Sequence, residues 1–553
     1  VNTAPVPLNR RDFLAGAAAG SAGLVIALSL PAFARNAGQR AATAGAQLNA
    51  WLRIAGDDSI TVLVDRSEMG QGVYTALPML LAEELEVDLK AISIVAAPVG
   101  DAYINQGNGG QVTGTSNSVS DAWVKLRTAG AQARTMLISA AAQTWGISPA
   151  ECRAEHGAVV GVHGKTLRYG QLAEKAGKLP VPQDVKLKEA AQFKLIGRSV
   201  PRLDTPGKVD GSAEFGIDVR LPGMLYAALA QSPVLGGTLK SLDAAAAEKM
   251  PGVRRVMPGT RGVIVVADHF WQAVKARSEL RIEWDPGSNA TLDNAAIRSL
   301  LRKTAAAPAR LTARTDGDPV QALKGVHQAL TAMYELPLLA HAPMEPMNCT
   351  ADVRADGCDI HVGTQVQQLA QSAAAAAAGL PPARVRVFTT LLGGAFGRRL
   401  ETDFIPAAVE ASRAMGRPVK LIWTREDDLA NDYFRPPAAI SLSGGLDAGR
   451  KLVAWDFHAA SPSITARVDP TSKDPFDSVL EAAANYFYEV PNVAVRYTRQ
   501  EIGVDVGYMR SVSHAINCFA IESFMDELAA AAGRDPYEFR RGLLGGKPRH
   551  RRV

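Results

Sequence analysis

The stretch Leu392-Gly393-Gly394-Ala395-Phe396-Gly397-Arg398-Arg399 decides how this chain is read. It follows a β-rich run, residues 385–392, and precedes a helical pattern over residues 403–415 that Gly416 and Pro418 stop. Gly393, Gly394 and Gly397 around a single aromatic ring describe a backbone that must come close to something, with Phe396 held beside it. Arg398 and Arg399 suit the neutralisation of phosphate; the plainer alternative is a solvated pair at the sheet edge. Upstream, Thr364-Gln365 is expected to end a strand and open the helix that Gly379 closes, which directs an amide side chain toward the same crevice.

Two more glycine-bearing loops each precede a helix. Glu68-Met69-Gly70-Gln71-Gly72-Val73 lies between a strand pair, residues 52–64 folded about Gly56-Asp57-Asp58, and a helix carrying Leu77, Leu81 and Leu85 at helical spacing. Its glycines allow close approach and the helix start offers unpaired amides, a geometry for phosphate, although a Gly-x-Gly turn by itself is more often punctuation. Gly109-Gly110-Gln111-Val112-Thr113-Gly114-Thr115-Ser116-Asn117-Ser118 precedes a long helix patterned on Val119, Trp123, Leu126, Ala129, Ala133 and Leu137. It concentrates amides and hydroxyls that can grip a polyanionic or heteroaromatic ligand; helix capping accounts for one hydroxyl but not for all of them.

The rest of the 553 residues reads as several α/β units, and the expected fold class is α/β (α+β). A Lys/Pro-rich linker at 176–190 leads to a module with β-rich runs at 224–230, 263–267 and 280–284 and a helical pattern at 270–276. A further mixed domain starts near residue 305 and includes a strand at 419–423. The chain is 47% hydrophobic and 21% charged with a net charge of +5, and its basic residues are spread apart from two terminal clusters, so there is no electrostatic case for a nucleic-acid partner. Cys152, Cys349, Cys358 and Cys518 form none of the close pairs that zinc or iron–sulfur ligation needs. No metal ligand is assigned to this chain, any iron–sulfur cluster belongs to another, and buried free thiols with at most one disulfide are expected. Asn9-Arg10-Arg11-Asp12-Phe13-Leu14, the Ala/Gly/Leu-rich stretch to residue 30 and Pro31-Ala32-Phe33-Ala34 read as a twin-arginine-type signal cleaved after Ala34. That route exports folded proteins, and the expected location is the periplasm.

Together the three loops and Thr364-Gln365 resemble the cofactor surroundings of the molybdenum hydroxylases, the xanthine dehydrogenase/aldehyde oxidase family. His341-Ala342-Pro343-Met344-Glu345-Pro346, Arg425-Glu426-Asp427, Arg510-Ser511-Val512 and Glu522-Ser523-Phe524-Met525-Asp526-Glu527 add to the resemblance. Leu195-Ile196-Gly197, Lys208-Val209-Asp210-Gly211 and Phe215-Gly216-Ile217-Asp218-Val219 look like its hammerhead domain. Gly70-Gln71-Gly72 precedes the hammerhead, as in the isoquinoline 1-oxidoreductase β-subunit branch and its membrane-associated aldehyde dehydrogenase relatives, whereas in xanthine dehydrogenases it follows. The resemblance divides the chain into the signal (1–34), an N-terminal molybdopterin-binding segment with its linker (35–190), the hammerhead (191–290), and a molybdopterin-binding domain with the start of a second, incomplete one (291–553).

This resemblance implies oxidative hydroxylation of an N-heterocycle or aldehyde with oxygen from water, and a molybdopterin cytosine dinucleotide as cofactor. It also implies a small partner subunit with [2Fe-2S] clusters and, as a candidate electron acceptor, a cytochrome c. Carried over by position, Gln365 would donate near a molybdenum oxygen, and Phe396 with Gly397 would form a wall and backbone donor beside the metal. Gly70, Gln71, Gly72, Thr113, Gly114, Thr115 and Ser116 would bind the pterin and its pyrophosphate, assisted by Gly393, Gly394, Ala395, Arg398 and Arg399. His341 and Glu345 are read as parts of a structural turn built on Pro343 and Pro346. The family's base is a glutamate in a Gly-x-Gly-Glu loop, a motif these 553 residues do not contain. The expectation is an enzyme subunit, either completed by a separate C-terminal chain that supplies the base or misread at its stop codon; the alternative is a catalytically inactive remnant.

Overall fold

The computed structural model describes residues 23–27, 50–471 and 477–553. Of the export-signal reading only Gly23–Ala27 falls within them, as a strand at the edge of the first sheet. The paired arginines, the cleavage site and the linker at 35–48 lie outside the described residues.

Turn chemistry makes the first sheet. Ala50–Ala55 and Ile60–Val64 pair antiparallel about a turn in which Asp58 takes φ 68 and the Asp57 carboxylate accepts from the Ser59 amide at 3.0 Å. The chain crosses through the helix Val73–Leu85 and returns as Ile92–Ala96, parallel to Ile60–Val64. The long helix Ser118–Trp145 packs on Val73–Leu85. The segment expected as a linker is stitched to both helices: Lys188 pairs with Glu83 and Glu86, and the carbonyls of Lys188 and Pro182 accept from Arg127 and Gln132.

The second sheet has seven strands, in the order Val253–Gly259, Gly262–Ala267, Leu225–Ala230, Val419–Ile422, Asn348–Arg354, Gly357–Val362, Val385–Thr389. It runs without a break across residue 290, through the parallel pairing of Val419–Ile422 with Leu225–Ala230. Val419–Ile422 is buried along its whole length, and a strand buried on both faces needs a neighbour at each side. The helices Gln367–Ala378 and Ile405–Met415 pack their alanines on this sheet. A third sheet, ordered Leu311–Asp316, Asn492–Arg499, Leu452–Ser461, Ala438–Leu446, Gln328–Leu336, carries the helix Ser513–Ala531 on an aromatic-rich core. Among the described residues no helix is long and apolar enough to cross a membrane.

Two parallel pairs position the site: Ile60–Val64 with Ile92–Ala96, and Gly357–Val362 with Val385–Thr389. Their C-terminal ends release residues 65–72, 97–117, 363–366 and 390–399, the loops singled out in the sequence. Loops at the carboxyl ends of parallel strands form natural ligand crevices. Here two such ends, from different sheets, meet.

Candidate functional site

Hydrogen bonds between partners remote in sequence, from Ser67 with Thr113 to Ser67 with Gln367, knit the four loops together. The Ser67 amide donates to Thr113 Oγ1 at 2.8 Å, its hydroxyl donates to the Thr364 carbonyl at 2.6 Å, and that hydroxyl accepts from Gln367 Nε2 at 3.0 Å. Thr113 and Gln365 bond reciprocally: the Thr113 amide donates to the Gln365 carbonyl at 2.9 Å, and Gln365 Nε2 donates to the Thr113 carbonyl at 2.8 Å. The Gln365 amide reaches the Arg399 carbonyl at 2.9 Å, and the Leu392 amide the Glu68 carbonyl at 3.0 Å. Ser67, Thr113, Thr364, Gln365, Gln367 and Arg399 are all buried, and a buried polar network of this kind specifies one arrangement.

The network leaves a receptive side. Thr115 and Ser116 stand exposed on left-handed backbone, φ 53 and 57. No hydroxyl of this loop caps the helix Ser118–Trp145, whose N-cap Asn117 makes no side-chain cap bond, so capping does not explain them. Gln365 Oε1, Gln111 Oε1 and Gln367 Oε1 are buried acceptors without a hydrogen-bond partner. Each such group costs about 1–3 kcal/mol, a penalty that a bound donor relieves.

Phe396 is 39% exposed and holds φ 57, a conformation that costs an aromatic residue about 1–2 kcal/mol. Its surroundings impose it. The Arg510 amide donates to the Phe396 carbonyl at 2.7 Å, and Gly397 sits at φ 113, where a Cβ would lie 1.6 Å from the Tyr508 carbonyl oxygen. Gly393 exchanges two bonds with Glu345, amide to Oε2 at 2.8 Å and carbonyl to amide at 2.9 Å. The adjoining turn is strained as well, with Ser511 at φ 64 and Val512 at φ 46, an outlier for a β-branched residue. Residues 508–512 thus belong to the site, a role their composition did not signal beyond the motif Arg510-Ser511-Val512.

Arg398 and Arg399 have a different place from the one expected: both are 0% exposed. Arg398 forks onto Asp403 at 2.8 and 2.9 Å, lies 3.1 Å from Asp432, and sits among the rings of Trp423, Tyr433 and Phe404. Burial opposes its charge, but Asp403 and then Asp432 outweigh that and hold its pKa above the ordinary arginine value. Arg399 binds Glu345 Oε2 at 2.9 Å and the carbonyls of Glu345, Gly363 and Gly394. Burial pulls its pKa below the ordinary value against the pull of Glu345. Neither guanidinium faces solvent or an open crevice, so both act as internal anchors of the loop; Ala395 is buried with them. Glu345 also accepts from the Ile217 amide at 3.0 Å and from Asn348 at 2.9 Å, and both ring nitrogens of His341 are engaged, by Asp432 and by the Tyr508 carbonyl, each at 2.9 Å. These contacts agree with the structural-turn reading of His341 and Glu345.

The Gly-Gln-Gly turn departs further from expectation, because the amides of Met69, Gly70, Gly72 and Tyr74 are already taken. Glu68 accepts from Gly70 and Gly72 through Oε1 at 2.9 and 3.0 Å, and from Tyr74 through Oε2 at 3.0 Å. Gln71 folds back, its Nε2 on the Ser67 carbonyl and its Oε1 on the Met69 amide, both at 2.8 Å. All four cysteines are free thiols; Cys349 and Cys358 are buried, whereas Cys518, expected inside, is exposed.

Two family models described as molybdopterin cofactor-binding domain match the chain, one over residues 14–219 and one over residues 304–543. Isoquinoline 1-oxidoreductase subunit beta of Brevundimonas diminuta is 30% identical, over 98% of this chain and 76% of that protein. A membrane-bound aldehyde dehydrogenase (pyrroloquinoline-quinone) of Gluconacetobacter polyoxogenes is 32% identical, over 91% of this chain and 67% of that protein. Among solved structures, the aldehyde oxidoreductase from Desulfovibrio gigas superposes with a TM-score of 0.53 at 18% identity, a likeness of fold. It covers 85% of this chain, which spans 53% of that structure's length.

Proposed function

This chain belongs to the molybdopterin-binding large subunits of the xanthine dehydrogenase/aldehyde oxidase family, in the isoquinoline 1-oxidoreductase β-subunit branch, and on that premise we propose that it binds a molybdopterin cytosine dinucleotide and serves the oxidative hydroxylation of an aldehyde or N-heterocycle. When bound, the group supplies a two-electron oxidation with oxygen from water. The protein's part is orientation, polar contact and exclusion of water.

The residues present fit that group. Thr115 and Ser116 offer hydroxyls and exposed left-handed backbone to a polyanion, on a loop that buried Thr113 anchors through Ser67. Gln365, fixed by its bond to Thr113, presents a buried amide oxygen still lacking a donor. Phe396 screens one side from water, and Gly397 lets the backbone turn beneath it. The observation that carries the reading is the reciprocal Thr113–Gln365 knot, which joins the ends of two parallel strand pairs and leaves Gln365 Oε1 buried without a partner. A partner subunit with [2Fe-2S] clusters as electron acceptor, a cytochrome c beyond it, and folded export to the periplasm complete the proposal.

Metal and nucleotide analysis of the full chain, purified from a host that makes the cofactor, tests it. Equimolar molybdenum and cytidine nucleotide are expected. Pyrroloquinoline quinone without molybdenum, the cofactor named for one relative, would overturn it. Aldehydes and N-heterocycles offered with an artificial electron acceptor then separate the two substrate classes.

A further inference from the structure

We propose that Glu68 is a resident anion: its carboxylate occupies the amide nest of the Gly-Gln-Gly turn, fastens residues 202–208 to the site loops, and leaves the amides of Gly70, Gly72 and Tyr74 unavailable to a phosphate of the cofactor. Only the last clause rests on the cofactor reading above.

The geometry is that of an anion site already satisfied. Glu68 is fully buried and receives the amides of Gly70, Gly72 and Tyr74, together with Arg202 Nη2 at 3.1 Å. Lys208 Nζ stands 3.5 Å away. Phosphate placed at a helix start looks for this set of donors. Asp204 balances the charge: it pairs with Arg202 at 2.7 Å and with Lys208 at 2.5 Å, so two carboxylates face two cations. Burial raises the Asp204 pKa, but Arg202 and Lys208 outweigh it and bring it down to about 2, which keeps that carboxylate charged at neutral pH. No surplus positive charge remains for a further anion. An incoming phosphate would have to expel Glu68 and leave its charge unpaired in a buried place.

Glu68 is also placed to transmit position. Its carbonyl accepts from the Leu392 amide at 3.0 Å, at the start of the Gly-Gly-Ala-Phe-Gly loop. Arg202 donates to the Gly70 carbonyl at 2.8 Å, and Thr75 Oγ1 accepts from the Leu203 amide at 2.9 Å. The residue therefore ties three separate stretches of chain into one frame. It is a positioning residue, with no contact to the substrate implied.

Thermal melting of the full chain with pyrophosphate, against sodium chloride at matched ionic strength, tests the idea. Glu68→Ala is expected to lower the midpoint by about 2–4 °C or more. Pyrophosphate at about 10 mM should restore at least half of that loss, because the emptied nest takes the added anion, and should raise the wild type clearly less, through the loop at Thr115 and Ser116 alone. Equal stabilisation of the wild type would show that Glu68 yields its place to phosphate, and absence of rescue would show that the nest is no anion site; either result overturns the proposal. Should Glu68→Ala not fold, hydrogen exchange on the wild type decides. Slow exchange at Gly70, Gly72 and Tyr74 without added anion supports the proposal, and fast exchange that pyrophosphate slows defeats it.

Discussion

The loops at 68–73 and 109–118 both follow a strand, both precede a helix and both are rich in glycine, yet one is closed and the other open. Glu68 turns its carboxylate into the first and consumes the amides of Gly70, Gly72 and Tyr74. The second has no acid within it; Thr113 is spent on Ser67 and Gln365, while Thr115 and Ser116 remain at the surface. Glycine spacing sets the shape of a loop, whereas a single carboxylate decides whether that shape is already filled. The loop 392–399 repeats the lesson from outside, because Glu345, some fifty positions upstream, holds Gly393 and Arg399.

The widest gap between a filled and an unfilled loop should come from emptying the third one. Glu345→Ala strips Arg399, which is 0% exposed, of its carboxylate and leaves four donors without their acceptor: Ile217, Asn348, Gly393 and Arg399. Breaking a buried pair from one side costs about 3–5 kcal/mol. Denaturant unfolding should show a loss of that size, or the variant should not accumulate; a loss below about 1 kcal/mol would return Arg399 to the solvated pair that is the plainer alternative in its sequence.

A pair of glycine variants sharpens the contrast at smaller scale. Gly397→Ala combines φ 113 with a Cβ placed 1.6 Å from the Tyr508 carbonyl oxygen, so strain and collision add to about 2–4 kcal/mol. Gly70→Ala has a similar φ, 109, and no neighbour within 4 Å, so strain alone remains, about 1–2 kcal/mol. The two unfolding free energies should therefore differ, with Gly397→Ala the more damaging and the one that also releases molybdenum. Equal losses would mean that the 508–512 turn gives way and does not hold the loop.

What the sequence disclosed follows from locality. The strand pair at 52–64, the helix on Leu77, Leu81 and Leu85, the long helix after Ser118 and the helix closed by Gly379 were all readable, because periodicity and turn residues act within a few positions. The convergence of the loops was expected from the family resemblance, and the Ser67, Thr113 and Gln365 bonds supply it. The fate of Arg398 was not legible, because charge is visible in a sequence but its compensation is not: Asp403 is near, whereas Asp432 arrives from another helix end. The sheet that crosses residue 290 was equally hidden, since Val419–Ile422 and Leu225–Ala230 pair across almost two hundred residues. Nothing in Ser511-Val512 announces left-handed backbone.

Lys420 extends the comparison to a buried cation lacking the carboxylate that Arg398 enjoys. It is 1% exposed and donates to the Ile217 carbonyl at 2.5 Å, and burial, only partly offset by Asp218, brings its pKa down to about 8. An unfolded lysine titrates near about 10.4. Between these values the unfolded chain binds more protons than the folded one, so this residue makes stability rise with pH from about 8 toward 10. Unfolding measured across that window should show the rise in the wild type, and Lys420→Met should flatten it; an unchanged slope would assign the effect to other groups.

The smallest effect is the most discriminating, because its sign depends on where strain is stored. Phe396→Gly removes a half-exposed ring and relieves left-handed strain of about 1–2 kcal/mol, against about 0.5–1 kcal/mol for the extra freedom of glycine in the unfolded chain. Phe396→Ala loses the same ring and keeps the strain. The glycine variant should thus be the more stable of the two by up to about 1 kcal/mol, the reverse of their order in ordinary backbone. Both should lose substrate turnover, since neither screens the crevice. If alanine proves the more stable, the backbone at residue 396 relaxes once the ring is gone, and it was the ring's own packing, not Gly397 and the Arg510 amide, that held the loop in its shape.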